Sequence, residues 1–117
     1  MRVIIAGGRD FNDRKLLKEK CDKILGNTPR EELQIVSGGA RGADLCGEGY
    51  AQDNNIDYVV FNADWKKYGK KAGILRNEQM AKYSNALIAF WDGKSPGTKN
   101  MILTAKKLGL KVRIVKY

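Results

Sequence analysis

Four glycine-rich stretches hold most of the residues with chemical reach: Gly7-Gly8-Arg9-Asp10-Phe11, Ser37-Gly38-Gly39-Ala40-Arg41-Gly42-Ala43-Asp44, the run from Asn62 to Asn77, and Trp91-Asp92-Gly93-Lys94-Ser95-Pro96-Gly97-Thr98. Glycines let backbone N–H groups turn toward one point and let an anion approach with no Cβ in the way. A helix start adds unpaired N–H groups and partial positive charge, and a neighbouring arginine adds a two-pronged phosphate contact. The second stretch combines all three, with Arg41 in the turn and a helix expected from about Gly42. It is neither a Walker A motif, which needs Gly-Lys-Ser/Thr, nor a GxGxxG fingerprint. Its alternative is a tight turn with Arg41 in solvent. Asp44, in the first helical turn, either complements the helix dipole or accepts from a ribose hydroxyl.

The first stretch sets a cation and a carboxylate, Arg9 and Asp10, beside a glycine pair, which suits phosphate plus sugar hydroxyl. Its alternative is an Arg9–Asp10 or Arg9–Asp44 surface ion pair, worth under about 1 kcal/mol. The third interleaves Asp64, Trp65 and Tyr68 with Lys66, Lys67, Lys70 and Lys71, the composition of a base-stacking platform with phosphate screening. Trp65 could equally cap the core, and the lysines could form a solvated face. Arg76 and Asn77, at the end of this run, are placed to orient sugar and base. In the fourth stretch Ser95 or Thr98 can cap the following helix, whose free N–H groups, with Gly97 and Thr98, form a second anion cradle. Two such cradles on one edge imply a ligand with phosphate near one and sugar or base near the other. Should that ligand be turned over, Arg76 and Asp92 are the catalytic candidates.

Counting removes other chemistries. The 117 residues include no histidine, so Ser-His-Asp and Cys-His catalysis and imidazole metal sites are excluded. Cys21 and Cys46 have no metal-ligand spacing and fall where amphipathic helices turn inward, which reads as buried hydrophobes and no metal site. The formal net charge of +9 directs attention to anionic partners: nucleotides, nucleic acid or an acidic membrane surface. With 43% hydrophobic and 30% charged residues the chain is globular, and its length is that of one domain, residues 1–117. No apolar run approaches the roughly 20 residues of a membrane span, and Met1 leads directly into a strand pattern, so a cytoplasmic setting is expected.

The elements that must position these loops follow from periodicity. Strands are expected at Arg2–Ala6, Leu33–Val36, Tyr58–Phe61, Ala86–Phe90 and Lys111–Val115. Between them lie four helical patterns. The first has Leu17, Cys21, Ile24 and Leu25 on one face; the second runs from about Gly42 to Asn54, and the third from about Ala72 to Tyr83. The last has Met101, Ile102, Ala105 and Leu108 on one face and ends at Gly109. Strand–helix alternation at this spacing implies right-handed βαβ units: a Rossmann-like α/β domain, with about five parallel strands buried by helices on both faces. All four glycine clusters then follow strands and share the carboxyl edge, where open α/β sheets bind ligands.

Taken in order, Gly7–Phe11, Ser37–Asp44, Ala63-Asp64-Trp65, Gly69–Met80 and Ala89–Thr98 resemble the YspA/YpsA-like branch of the SLOG superfamily, named for the Smf/DprA and LOG proteins. The resemblance spans essentially the whole chain. It implies a Rossmann-like fold whose carboxyl-edge pocket binds nucleotides or nucleotide-derived molecules. Members of the branch are often encoded in bacterial and phage genomes, and several relatives are linked to nucleotide signalling in defence. Relatives often form homodimers or larger assemblies, which the resemblance carries over as an expectation. The LOG enzymes cleave the N-glycosidic bond of nucleoside monophosphates, pairing an arginine early in helix three with a Gly-Thr-x-x-Glu motif at helix four. Arg76 and Gly97-Thr98 match that pattern, but Met101 stands at the glutamate position. An oxocarbenium-like transition state calls for a nearby carboxylate, which methionine cannot supply. The expectation is therefore a small phosphate-bearing ligand bound as by a sensor, scavenger or accessory module. LOG-like hydrolysis and DprA-like nucleic-acid binding are the alternatives, and no cofactor beyond the bound nucleotide is called for.

Overall fold

A computed structural model describes all 117 residues. Five parallel strands, β1 (Arg2–Gly7), β2 (Gln34–Ser37), β3 (Asp57–Val60), β4 (Ala86–Trp91) and β5 (Lys111–Lys116), form one sheet in the order β3-β2-β1-β4-β5. The chain builds outward from β1 through β2 to β3, then returns past β1 and builds outward again through β4 to β5. Adjacent strands β1 and β4 therefore send their following loops in opposite directions, which opens a crevice at their carboxyl ends.

Side-chain alternation along the strands divides the core in two. Val3, Ile5, Ile35, Ile88 and Phe90 face one side, where α1 (Arg14–Leu25) and α2 (Ala43–Asp53) contribute Leu17, Cys21, Cys46 and Tyr50. Ile4, Ala6, Val36, Leu87 and Ala89 face the other, against Met80 and Ala81 of α4 (Ala72–Tyr83) and Met101, Ile102 and Ala105 of α5 (Pro96–Lys107). Both cysteines are free and buried, and burial pushes the Cys21 thiol up to about 12, as befits a small hydrophobe.

The helix ends have local causes. Asp13 caps α1 by accepting from the Leu16 N–H at 3.0 Å. Beyond α5, Gly109 adopts φ +82° while its N–H donates to the Lys106 carbonyl and that of Leu110 to Ala105, both orphan carbonyls of the last turn.

Two features differ from the sequence reading. The run after β3, read as a loop, contains α3 (Trp65–Tyr68) and a 3-10 turn at Gly69–Lys71. Asp64 starts that single turn by accepting from the Lys67 N–H at 3.1 Å, and four residues are too few to show a period. The outer strands β3 and β5 are also not buried on both faces as expected. They are sheet edges, and β5 has only Val112 and Val115 half-buried with the rest exposed, because the helices chiefly cover β1, β2 and β4.

Candidate functional site

The loops after β1, β2 and β4 meet over the crevice because their backbones interlock. The Gly8 carbonyl accepts from the N–H of Phe11 in its own loop and from that of Ala43, the first residue of α2, each at 3.2 Å. Gly42 adopts φ +87°, and a Cβ there would stand 2.2 Å from the Gly8 oxygen and 2.7 Å from the Arg9 Cα. Only glycine allows that approach. The first N–H of α2 is thus used inside the protein, while those of Asp44 and Leu45 have no partner in the chain. On α5, Ser95 occupies the N-cap position without a side-chain capping bond, and the N–H groups of Gly97 and Thr98 have no partner in the chain.

A cavity of about 450 Å³ opens at this junction. Ten of the residues singled out in the sequence line it: Gly7, Gly8, Arg9, Asp10, Arg41, Asp44, Arg76, Asn77, Gly97 and Thr98. Ala6, Ala40, Met80, Ser95, Pro96 and Met101 complete the wall. The small and apolar members of that group carry no chemical signal in a sequence. An adjoining cavity of about 580 Å³ lies toward β3, lined by Arg9, Gly38, Gly39, Ala40, Arg41, Asn62, Ala63, Trp65 and Arg76. Trp65 is 51% exposed and belongs to neither core cluster, so it does not cap the core.

Four singled-out residues line neither cavity. Ser37 is fully buried, donating to Glu48 Oε2 at 2.7 Å and accepting from the Gly39 N–H at 3.1 Å. Gly42 is the contact between loops just described, and Asp64 is the cap of α3. Asp92 accepts from the N–H groups of Lys94 and Ser95, both at 2.8 Å, and those bonds hold its carboxyl below the usual range. It shapes the β4–α5 turn from outside the cavity. Asn77 lines the wall with the N–H side of its amide engaged by the protein: Nδ2 donates to Asn100 Oδ1 at 2.9 Å and toward the Gly97 carbonyl at 3.4 Å. It ties α4 to the start of α5 and keeps its Oδ1 as an acceptor with no partner in the chain.

Arg76 and Asp44 form the electrostatic centre. Arg76 Nη1 donates to the Gly38 carbonyl at 3.0 Å, and its guanidinium lies so close to Gly38 that a Cβ there would stand 3.1 Å from it. Its buried Nε has no partner. Burial pulls the Arg76 pKa down, opposed by Asp44 and aided by Arg9. Asp44 is 5% exposed and accepts from the Ala40 N–H at 3.2 Å. Burial pushes its pKa up to about 6, against the pull of that N–H and of Arg76, while nearby Glu48 adds to the rise. Arg9 and Arg41 have no carboxylate within 4.0 Å, for the sole ion pair in the protein is Lys18–Asp22 on α1. Neither surface pair considered for Arg9 forms. Three guanidiniums thus border one crevice with little internal compensation.

No helix is long and apolar enough to cross a membrane. Residues 1–68 match the family model described as the YspA, cpYpsA-related SLOG family. The chain is 36% identical over 117 residues to the Gene 61 protein of Mycobacterium phage D29, covering 95% of this chain and 93% of that one. In structure it resembles DNA processing protein A (DprA) from Streptococcus pneumoniae, with a TM-score of 0.77 and 18% identity. That match takes in 99% of this chain but 50% of DprA, so the chain spans half the length of that neighbour and the likeness is one of fold. The family match, the phage relative and the glycine-edged crevice agree: the chain belongs to the YspA, cpYpsA-related SLOG family.

Proposed function

We propose that the protein binds a nucleotide or nucleotide-derived ligand in the crevice between β1 and β4, as a sensor, scavenger or accessory module. The observation that carries the reading is the convergence of Arg9, Arg41 and Arg76 on one cavity without an ion-pair partner within 4.0 Å, facing the unpaired N–H groups at the start of α5. Cations without counter-ions beside open N–H groups favour phosphate. Asp10 and Asp44 in the same wall accept from sugar hydroxyls. A cytoplasmic setting belongs to the same reading. Self-association as a homodimer belongs to the same reading through the family and is checked by sedimentation.

A thermal-shift panel of nucleoside mono-, di- and triphosphates and NAD tests it. Ligand at 100 times Kd should stabilise the fold by about 2.7 kcal/mol. Arg41→Ala, at an exposed position, should remove most of the shift while leaving the melting temperature of the free protein unchanged. No shift with any phosphate-bearing compound would defeat the proposal.

One observation favours turnover as a second reading. Met101 lines the cavity where a LOG enzyme has glutamate, yet the Asp44 carboxyl lies in the same wall with its pKa near 6, a value suited to proton transfer near neutrality. Free base released from nucleoside monophosphates and abolished in Asp44→Asn would support hydrolysis; intact nucleotide after prolonged incubation would exclude it. Nucleic-acid binding has weaker support, resting on exposed Lys66, Lys67, Lys70 and Lys71 beside Trp65. It predicts an affinity for single strands that falls steeply with salt.

A further inference from the structure

The two cavities at the carboxyl edge are not independent. The residues they share are Arg9, Ala40, Arg41 and Arg76. The three arginines therefore stand at the waist between two chambers, with room on each side. A nucleoside monophosphate or diphosphate carries its phosphates at one end, so it fits cations at the closed end of a single cavity. Cations at a waist fit phosphates in the middle of a molecule. The chambers also differ in chemistry. The larger one is walled by the half-exposed indole of Trp65 and by Asn62, a stacking surface with an amide beside it. The smaller one is walled by Asp10 and Asp44, acceptors for hydroxyl groups, and by the open N–H groups of Gly97 and Thr98, which can donate to the nearer phosphate or to sugar oxygens.

From this arrangement we infer that the ligand is a diphosphate esterified at both ends: a base-bearing nucleoside in the Trp65 chamber, the two phosphates across Arg9, Arg41 and Arg76, and a hydroxyl-rich sugar in the Asp10 chamber. The inference rests on the nucleotide reading above and narrows it from nucleotides at large to dinucleotides and nucleoside diphosphate sugars. Asp10 and Trp65 become specificity residues for opposite ends of one molecule.

Matched pairs of ligands, titrated by calorimetry into the full chain, test the inference: ADP with ADP-ribose, GDP with GDP-mannose and UDP with UDP-glucose, alongside inorganic pyrophosphate. In at least one pair the two-ended compound should bind at least tenfold more tightly than its diphosphate. Asp10→Asn should cancel that advantage. Trp65→Ala should weaken both members of the pair about equally and leave pyrophosphate unaffected. Both side chains are exposed, so neither variant threatens folding. Equal affinity within every pair would overturn the two-ended ligand while leaving nucleotide binding intact. A tenfold advantage untouched by either variant would overturn it as well. No binding by any compound, pyrophosphate included, would remove the nucleotide reading along with it.

Discussion

Gly42→Ala should lower stability by about 3 kcal/mol, and the melting temperature by roughly 10–15 °C for a domain of this size. Two costs combine. An alanine at φ +87° leaves its favoured backbone regions, at about 1–2 kcal/mol. Its Cβ would also sit 2.2 Å from the Gly8 carbonyl oxygen and 2.7 Å from the Arg9 Cα, both backbone atoms that move only with their loop. Relief requires the β1 loop to withdraw from α2, which breaks the Ala43 N–H bond to Gly8 and shifts Arg9 out of the crevice. Gly97→Ala provides the contrast. Nothing lies within 4 Å of a Cβ at that position and its φ is not positive, so in the first turn of α5 it should be neutral or stabilising by up to about 1 kcal/mol. The fold does not require glycine at 97. A ligand approaching the α5 N–H groups would, so Gly97→Ala should weaken nucleotide affinity without lowering the melting temperature. Thermal melts of both variants decide the matter: a Gly42→Ala protein melting within about 2 °C of the parent would show that the two loops are not held this way.

How far the sequence speaks depends on the range of the forces involved. The strands at β1, β2 and β4 are legible because a parallel strand covered on both faces must be apolar at nearly every position, as Val3-Ile4-Ile5-Ala6 is. The last helix is legible through Gly109, whose role in ending it is local. Placing Arg9, Arg41 and Arg76 on one edge follows from alternation alone. That Arg9 and Asp10 stand beside the β4 loop depends on strand order, since the crevice exists only where the chain reverses its direction of building around β1. Local pattern also cannot tell how a polar side chain spends its hydrogen bonds. Ser37, Asn77 and Asp92 have the composition of ligand contacts, but each also bonds to the protein: Ser37 to Glu48 of α2, Asn77 through Nδ2 to Asn100 of α5, and Asp92 to its own loop. The opposite holds for Asp44, where helix position offered two roles and burial produced a third: a carboxyl held beside Arg76 with its proton affinity raised.

That pair gives the second large effect. Arg76→Gln removes the cation nearest the buried Asp44 carboxylate and the bond to the Gly38 carbonyl. Removing one partner of a buried contact pair costs about 3–5 kcal/mol; Arg76 is only partly buried and acts on Asp44 across more than 4.0 Å, so about 2 kcal/mol is expected at pH 8. The loss should depend on pH, and its sign follows from proton binding. Asp44 has its folded pKa raised to about 6 from an ordinary 3.8, so between those values the folded state holds more protons than the unfolded one. Stability therefore falls as pH rises through that window. Without Arg76 the folded pKa climbs further, which extends the falling region above pH 6. Below about pH 5 Asp44 is largely protonated in the folded variant, and the penalty should shrink to the roughly 1 kcal/mol of the lost Gly38 hydrogen bond. Urea unfolding of both proteins from pH 4.5 to 8 should accordingly give curves that approach each other in acid and diverge above neutrality. Adding Asp44→Asn to Arg76→Gln should flatten the divergence and restore most of the stability at pH 8. A gap of constant size across the range would mean that Arg76 acts on Gly38 alone and that Asp44 does not sense it.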